Sequence, residues 1–241
     1  MADRILLGML TPSSNTVLEP VTSAMIADLP EVSVHFSRFR VTEIALHDQA
    51  LGQFQDQQLL EAAQLLADAQ VDVIAWNGTS AGWLGFDADV HLCEQIQAAT
   101  GIPATTSTLA LNEIFQQKQI EKFALVTPYL AEVQNRIIKN YRQLGLECVA
   151  ERHLNRQVNF SFSDVSEAEI VDMIRDVAAT QPQSITTFCT NLRAAPLIDY
   201  LEAESNIPIY DTIAVAVWKS LKLAGVDVTR VKGWGRLFHE L

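Results

Sequence analysis

The chain has 241 residues, 49% of them apolar, with 17 basic and 29 acidic side chains and a net charge of −12. That is enough apolar material for one large domain or two compact lobes, and 19% charge with only 10 glycines and 8 prolines argues against long disorder. The acidic balance argues against an electrostatic grip on a nucleic-acid backbone.

The first apolar run, Ile5–Leu10, reads as a buried strand and is broken at once by Thr11-Pro12-Ser13-Ser14-Asn15. It has neither the length nor the flanks of a secretory signal, and no run approaches the ~20 residues of a membrane span. Strands follow at Val32–Phe39, at Val71–Trp76 after the amphipathic Asp56–Ala69, and at Ile102–Thr106 after the helical Val90–Ala99. The second half repeats the rhythm, with strands at Phe123–Val126, Leu146–Ala150, Ser184–Phe188 and Ile207–Tyr210. Helices at Ala131–Leu144, Glu167–Thr180 and Pro196–Ser205 separate them. Strands buried on both faces and joined by helical crossovers make parallel sheets. The last helix, Ile213–Leu223, is apolar on most faces and is expected between lobes or between the subunits of a homo-oligomer.

The halves also match in detail. Leu10-Thr11-Pro12-Ser13 falls against Val126-Thr127-Pro128-Tyr129, and Ile102-Pro103 against Ile207-Pro208. Val73 to Ser80 sets beside Ile185 to Asn191, with Gly78 opposite Cys189. The expected architecture is therefore α/β, with two pseudosymmetric lobes, each a parallel four-stranded sheet flanked by helices, and a site in the cleft between them. The first lobe is residues 1–116, completed by the C-terminal helix within 213–241. The second is 117–212, with the break near Gln116–Glu121.

Three cysteines, Cys93, Cys148 and Cys189, show neither CxxC spacing nor a nearby His pair. They fit neither a disulfide framework nor a zinc site and point to a reducing cytoplasm. Cys93 in a helix and Cys148 in a strand read as core. In parallel sheets, ligands bind beyond the carboxyl ends of the strands. Four polar clusters lie there: Thr11 to Thr16, Gly78-Thr79-Ser80, Thr127-Pro128-Tyr129 and Cys189-Thr190-Asn191. Converging on one cleft, they would suit a small carboxylate, or the enolate-like charge formed from it.

These four clusters, in order and over essentially the whole chain, resemble the aspartate/glutamate racemase superfamily, and most of all its branch of maleate cis-trans isomerases and arylmalonate decarboxylases. The resemblance implies two facing α/β lobes, no metal or organic cofactor, a small carboxylate or dicarboxylate as substrate, and cysteine thiols that move protons or add to it. Racemases and isomerases of the superfamily carry a thiol in each lobe, and the first-lobe position aligns with Gly78; only Cys189 remains. An isomerase uses its first-lobe thiolate as the nucleophile, and a racemase needs two bases. A single second-lobe cysteine with Gly-Thr-Ser in the first lobe is similar to arylmalonate decarboxylase, where one thiol protonates the carbanion left by CO2.

The resemblance makes Cys189, Thr79, Ser80 and Tyr129 catalytic, and Pro12, Ser13, Asn15, Gly78, Thr190, Asn191 and Asn159 substrate-binding. The plainer alternatives are turn chemistry for Gly78 to Ser80, a helix N-cap for Asn15 and inert packing for the thiol. A helix beginning near Ala194 would favour the Cys189 thiolate slightly. Trp83, Leu84, Phe39, Val41 and Ile44 are candidates for an apolar wall that promotes loss of a carboxylate. Arg193 reads as an ion pair or as a second carboxylate binder, and His47 and His153 as solvated or structural. The expected function is cofactor-independent decarboxylation of a malonate-like diacid. Isomerisation or racemisation, with a substitute base such as one from the His47 loop, is the alternative, and a two-lobed anion-binding module is another.

Overall fold

The computed structural model describes residues 4–241. The first sheet is built from β1 (Ile5–Pro12), β2 (Val32–Phe39), β3 (Val73–Trp76) and β4 (Ala104–Thr106). Between them run α1 (Leu18–Met25), the short α2 (Asp48–Leu51), α3 (Asp56–Asp68), the short α4 (Ala81–Leu84) and α5 (Phe86–Thr100), and α6 (Ser107–Gln117) follows β4. The second sheet holds β5 (Lys122–Thr127), β6 (Glu147–His153), β7 (Ser184–Thr187) and β8 (Ile209–Asp211). Its helices are α7 (Ala131–Gln143), α8 (Glu167–Ala178) and α9 (Ile198–Ser205), and α10 (Thr212–Leu223) and α11 (Leu237–Glu240) close the chain.

Both sheets are parallel, and their orders correspond: β2-β1-β3-β4 and β6-β5-β7-β8. The correspondence reaches single hydrogen bonds. Ile74 N donates to Pro103 O at 3.0 Å in one lobe and Ile185 N to Pro208 O at 2.9 Å in the other. The central strands are buried on both faces, as near-continuous apolar runs require. All eight expected strands are present, with ends moved by at most three residues and Val32–Phe39 unmoved.

Helices α1 and α6 were not expected. Thr106 caps α6 by accepting from Leu109 N at 3.0 Å, so the chain turns directly from β4 into the helix. Asp211 does the same for α10, accepting from Ile213 N at 2.8 Å. These two matching helices pack on each other, and α10 also packs on α1, β3, β4 and β8. Its apolar faces are thus covered between the two sheets. The Phe115 ring of α6 in turn meets Phe123, Tyr141 and Tyr210 of the second half, at 5.4, 5.9 and 6.3 Å. Among the described residues, no helix is long and apolar enough to cross a membrane.

Candidate active site

The strand ends of the two sheets face one cleft, and short polar side chains stitch its floor. Asn15 Nδ2 donates across the lobes to Thr190 O at 3.0 Å and Thr190 Oγ1 at 3.2 Å. Its Oδ1 accepts from Val17 N and Leu18 N, both at 2.9 Å, at the start of α1. All four hydrogen-bonding positions of the amide are therefore occupied. Thr190 Oγ1 donates to Asn77 O at 3.0 Å, so its one proton is used too. Asn191 Oδ1 accepts from Thr16 N at 3.0 Å, and its Nδ2 donates to Asn159 O at 2.7 Å. Asn159 Nδ2 donates to Ser14 Oγ at 2.7 Å, and Ser13 Oγ exchanges hydrogen bonds with the backbone of Val41. The lobes also approach closely at Gly82, where an added Cβ would lie 2.5 Å from the Phe188 ring.

Above this floor lies a tight cavity of about 20 Å³. Of the residues singled out in the sequence, Pro12, Gly78, Thr79, Ser80, Tyr129, Asn159, Cys189 and Thr190 line it, whereas Ser13, Asn15 and Asn191 do not. The apolar wall is Val41, Ile44, Phe54, Trp76 and Trp83. Phe54 and Trp76 were missed by sequence reasoning. Phe39, expected in the wall, stands behind Trp76 with ring centroids 5.0 Å apart, and Leu84 is 41% exposed and outside the cavity. Among the described lining residues, none is cationic.

Cys189 is the buried thiol of the cleft, 2% exposed. It stands where Gly78 stands in the first lobe. Asn77 N donates to Leu10 O at 3.1 Å and Phe188 N to Val126 O at 2.9 Å, so each residue in question comes next after an equivalent backbone bond. Burial pushes the thiol up to about 12, against the pull of the Tyr129 hydroxyl and the backbone N–H groups of Asn191 and Leu192. The helix expected near Ala194 is present, starting as a tight helical turn at Ala195–Leu197 that runs directly into α9, and the N–H groups that act on the sulfur are those of Asn191 and Leu192 just before it. The thiol stays protonated across the neutral range.

Tyr129 joins the lobes at the reacting end of the cavity. Its hydroxyl lies 2.7 Å from Thr79 Oγ1 and also hydrogen-bonds the Cys189 side chain. Burial holds the phenol well above its ordinary value, so it acts as a neutral donor. Ser80 Oγ accepts from Trp76 Nε1 at 3.4 Å, which leaves the serine proton for another acceptor. Trp83 packs its ring 5.4 Å from that of Tyr129, and its Nε1–H has no partner among the described residues.

The remaining candidates lie elsewhere. Arg193 forms no ion pair among the described residues; Nη2 donates to Val165 O at 3.3 Å, beside a surface hollow away from the cleft. Nδ1 of His47 accepts from Ala50 N at 3.3 Å and caps α2, and His153 Nδ1 lies 2.8 Å from Glu151 Oε2. Neither histidine lines the cavity. Cys93 and Cys148, expected in the core, are only partly buried.

Two facing parallel sheets with a buried thiol and hydroxyl-bearing loops at their strand ends define a two-lobed α/β protein with an interlobe site. Residues 7–238 match the family model described as arylmalonate decarboxylase, and the chain belongs to that family. Arylmalonate decarboxylase of Bordetella bronchiseptica is 23% identical over 237 residues, covering 97% of this chain and 96% of the relative. The crystal structure of the maleate isomerase Iso from Pseudomonas putida S16 superposes with a TM-score of 0.89 at 22% identity, over 98% of each chain. A cysteine-to-serine variant of Nocardia farcinica maleate cis-trans isomerase, solved with a covalently bound succinylcysteine intermediate, gives 0.88 at 21% identity, over 98% of this chain and 99% of the other. Both kinds of relative are enzymes acting on small carboxylates. They stand at equal distance, so the choice between their reactions falls to the chemistry of this cleft.

Proposed function

We propose that the protein is a cofactor-independent decarboxylase of a malonate-like diacid, with Cys189 as its proton donor. The observation that carries this reading is the pairing of one protonated, buried thiol in the second lobe with a glycine at the matching first-lobe position.

One carboxylate of the substrate accepts hydrogen bonds from Ser80, Thr79 and Tyr129. The other lies against Val41, Ile44 and Trp83, where an apolar surrounding penalises its charge and favours its departure. The bond from the α-carbon to that carboxylate breaks, CO2 leaves, and the electron pair passes into the remaining carboxylate as an enediolate. The hydroxyl donors hold the charge that grows there; loss of one such donor costs ~10²–10³ in rate. The Cys189 S–H bond then breaks as its proton forms the new α-C–H bond. The resulting thiolate is held by the N–H groups of Asn191 and Leu192 until water returns a proton. A thiol pushed up to about 12 suits donation to a strongly basic carbon.

Maleate-type isomerisation is the second reading, supported by the isomerase relatives. It requires a thiolate nucleophile, which burial of Cys189 opposes, and among the described residues no second thiol or histidine lines the cavity. Proton NMR in D2O with alkyl- and arylmalonates, maleate and aspartate separates these readings. Loss of CO2 with one deuterium placed at the α-carbon, abolished in Cys189→Ala, is the expected result. Exchange or cis-trans conversion without CO2 would move the protein to the isomerases. Tight binding without any turnover, unchanged in Cys189→Ser, would make it an anion-binding module.

A further inference from the structure

One wall of the cavity has no part in the steps above. Trp76 ends β3 and is 1% exposed, yet it lines the cavity beside Gly78. The Phe39 ring on one side and the Nε1–H bond to Ser80 on the other fix its indole. A Cβ added at Gly78 would lie 1.9 Å from Trp76 Cζ2, 2.4 Å from Cε2 and 2.5 Å from Cη2. Every side chain, not only a cysteine, is shut out while the indole keeps this place. Gly78 has no positive φ, so the backbone does not demand glycine there; the indole does.

In the second lobe the equivalent of Trp76 is Thr187. Its hydroxyl turns away to Asp211 Oδ2 at 2.7 Å, and space remains for the thiol of Cys189. An indole is about the size of a substituted aryl group. The space left beside it is about 20 Å³, far below the ~300–1,000 Å³ of ligand pockets, so the indole leaves this side of the cleft tightly closed.

We propose that Trp76 is the specificity-determining residue of the cleft: it closes the first-lobe side at position 78 and limits the substrate to a malonate-type diacid with an α-substituent no larger than a short alkyl group. This rests on the decarboxylase reading of the same cleft. Replacing the indole with a smaller side chain opens that side to an aryl-sized substituent.

The test is a substrate series, malonate, methylmalonate, ethylmalonate and phenylmalonate, given to the wild-type protein, Trp76→Leu and Trp76→Phe. The reading is the ratio of kcat/KM for methylmalonate to that for phenylmalonate. As a ratio, it cancels any general loss from a less well oriented Ser80. The wild type should favour methylmalonate at least tenfold, and Trp76→Leu should reduce that preference at least tenfold, with Trp76→Phe between them. A wild type that takes phenylmalonate as readily, or a ratio unchanged in Trp76→Leu, overturns the proposal.

A second measurement needs no substrate. Gly78→Ala should lower Tm by several degrees in the wild-type background and by less than half as much in Trp76→Leu. Equal losses in both backgrounds overturn the closure. Should the wild type decarboxylate none of the series, the decarboxylase reading falls and takes the substituent limit with it, while the Tm measurement still decides the closure.

Discussion

The loops after β3 and β7 are built on the same backbone frame and spend their side-chain volume differently. After β3, a large indole at Trp76 is followed by no side chain at Gly78 and by two hydroxyl groups, Thr79 bonded to Tyr129 and Ser80 to the indole. After β7, a small Thr187 tied to Asp211 is followed by a thiol at Cys189, then by Thr190 and Asn191, both tied into the floor of the cleft. Symmetry of the fold thus coexists with a division of labour in the proposed mechanism: the loop after β3 binds and closes, and the loop after β7 delivers a proton. A repeated α/β unit supplies two equivalent positions, and the neighbouring side chain decides which of them can hold a reactive group.

Breaking the reactive half should have the largest effect. Cys189→Ala is expected to cost ~10²–10⁴ in turnover, the range for loss of a general acid, with malonate affinity kept within about tenfold. NMR in D2O and calorimetric titration measure the two quantities, and retained turnover would remove Cys189 from the mechanism. Tyr129→Phe deletes the hydroxyl shared by Thr79 and the sulfur, and should cost ~10² in kcat/KM. Thr79→Val should cost less, because Tyr129 keeps its own proton for the ligand. Equal losses for the two variants would mean that the pair acts as one donor.

The floor sharpens the contrast through stability. Asn15→Ala removes four hydrogen bonds around the first loop and its bridge to Thr190, and should cost ~1–3 kcal/mol in urea unfolding. A direct substrate ligand would instead show its loss mainly in KM.

The smallest effect is a pH slope. Burial raises Asp89 to about 7 and Asp211 to about 6, while each would lose its proton near 3.8 in the unfolded chain. Between pH 4 and 7 the folded state therefore holds more protons than the unfolded state, and stability should fall as pH rises through that window. Glu31 and Glu204, held low by hydrogen bonds from Arg230 and Arg175, act in the opposite sense below about pH 4.5, so they do not mask it. Tm measured from pH 4 to 7 should decline, and the decline should flatten in Asp89→Asn.

Eight strands and their grouping into two parallel sheets follow from the alternation of apolar runs and amphipathic segments, because strands buried on two faces leave an uninterrupted signature; the order of strands within each sheet does not. Helix α6 left no such signature. Its sequence begins at the capping Thr106 with no intervening loop, so it reads as the tail of a strand, while its counterpart α10 announces itself by an apolar run. The site was legible where glycine, hydroxyl and thiol groups gather at strand ends. Asn15, Thr190 and Asn191 carry the same polar signature whether they face a ligand or brace two lobes, and only the filled hydrogen-bonding positions separate the two roles. Trp76 illustrates the opposite case: a buried aromatic at a strand end looks like core from sequence, and its effect on Gly78 needs the rotamer.

The packing of α10 against β3, β4 and α6 sets an order of events during biosynthesis. When α6 has left the ribosome, the first sheet still lacks the helix that covers it, and that helix follows only after all four strands of the second sheet. The cleft can therefore assemble only once α10 has emerged, after a second sheet has formed with an apolar neighbour waiting uncovered. Nascent chains stalled before Thr212 should be open to protease throughout residues 104–117, and chains extended past Leu223 should be protected there.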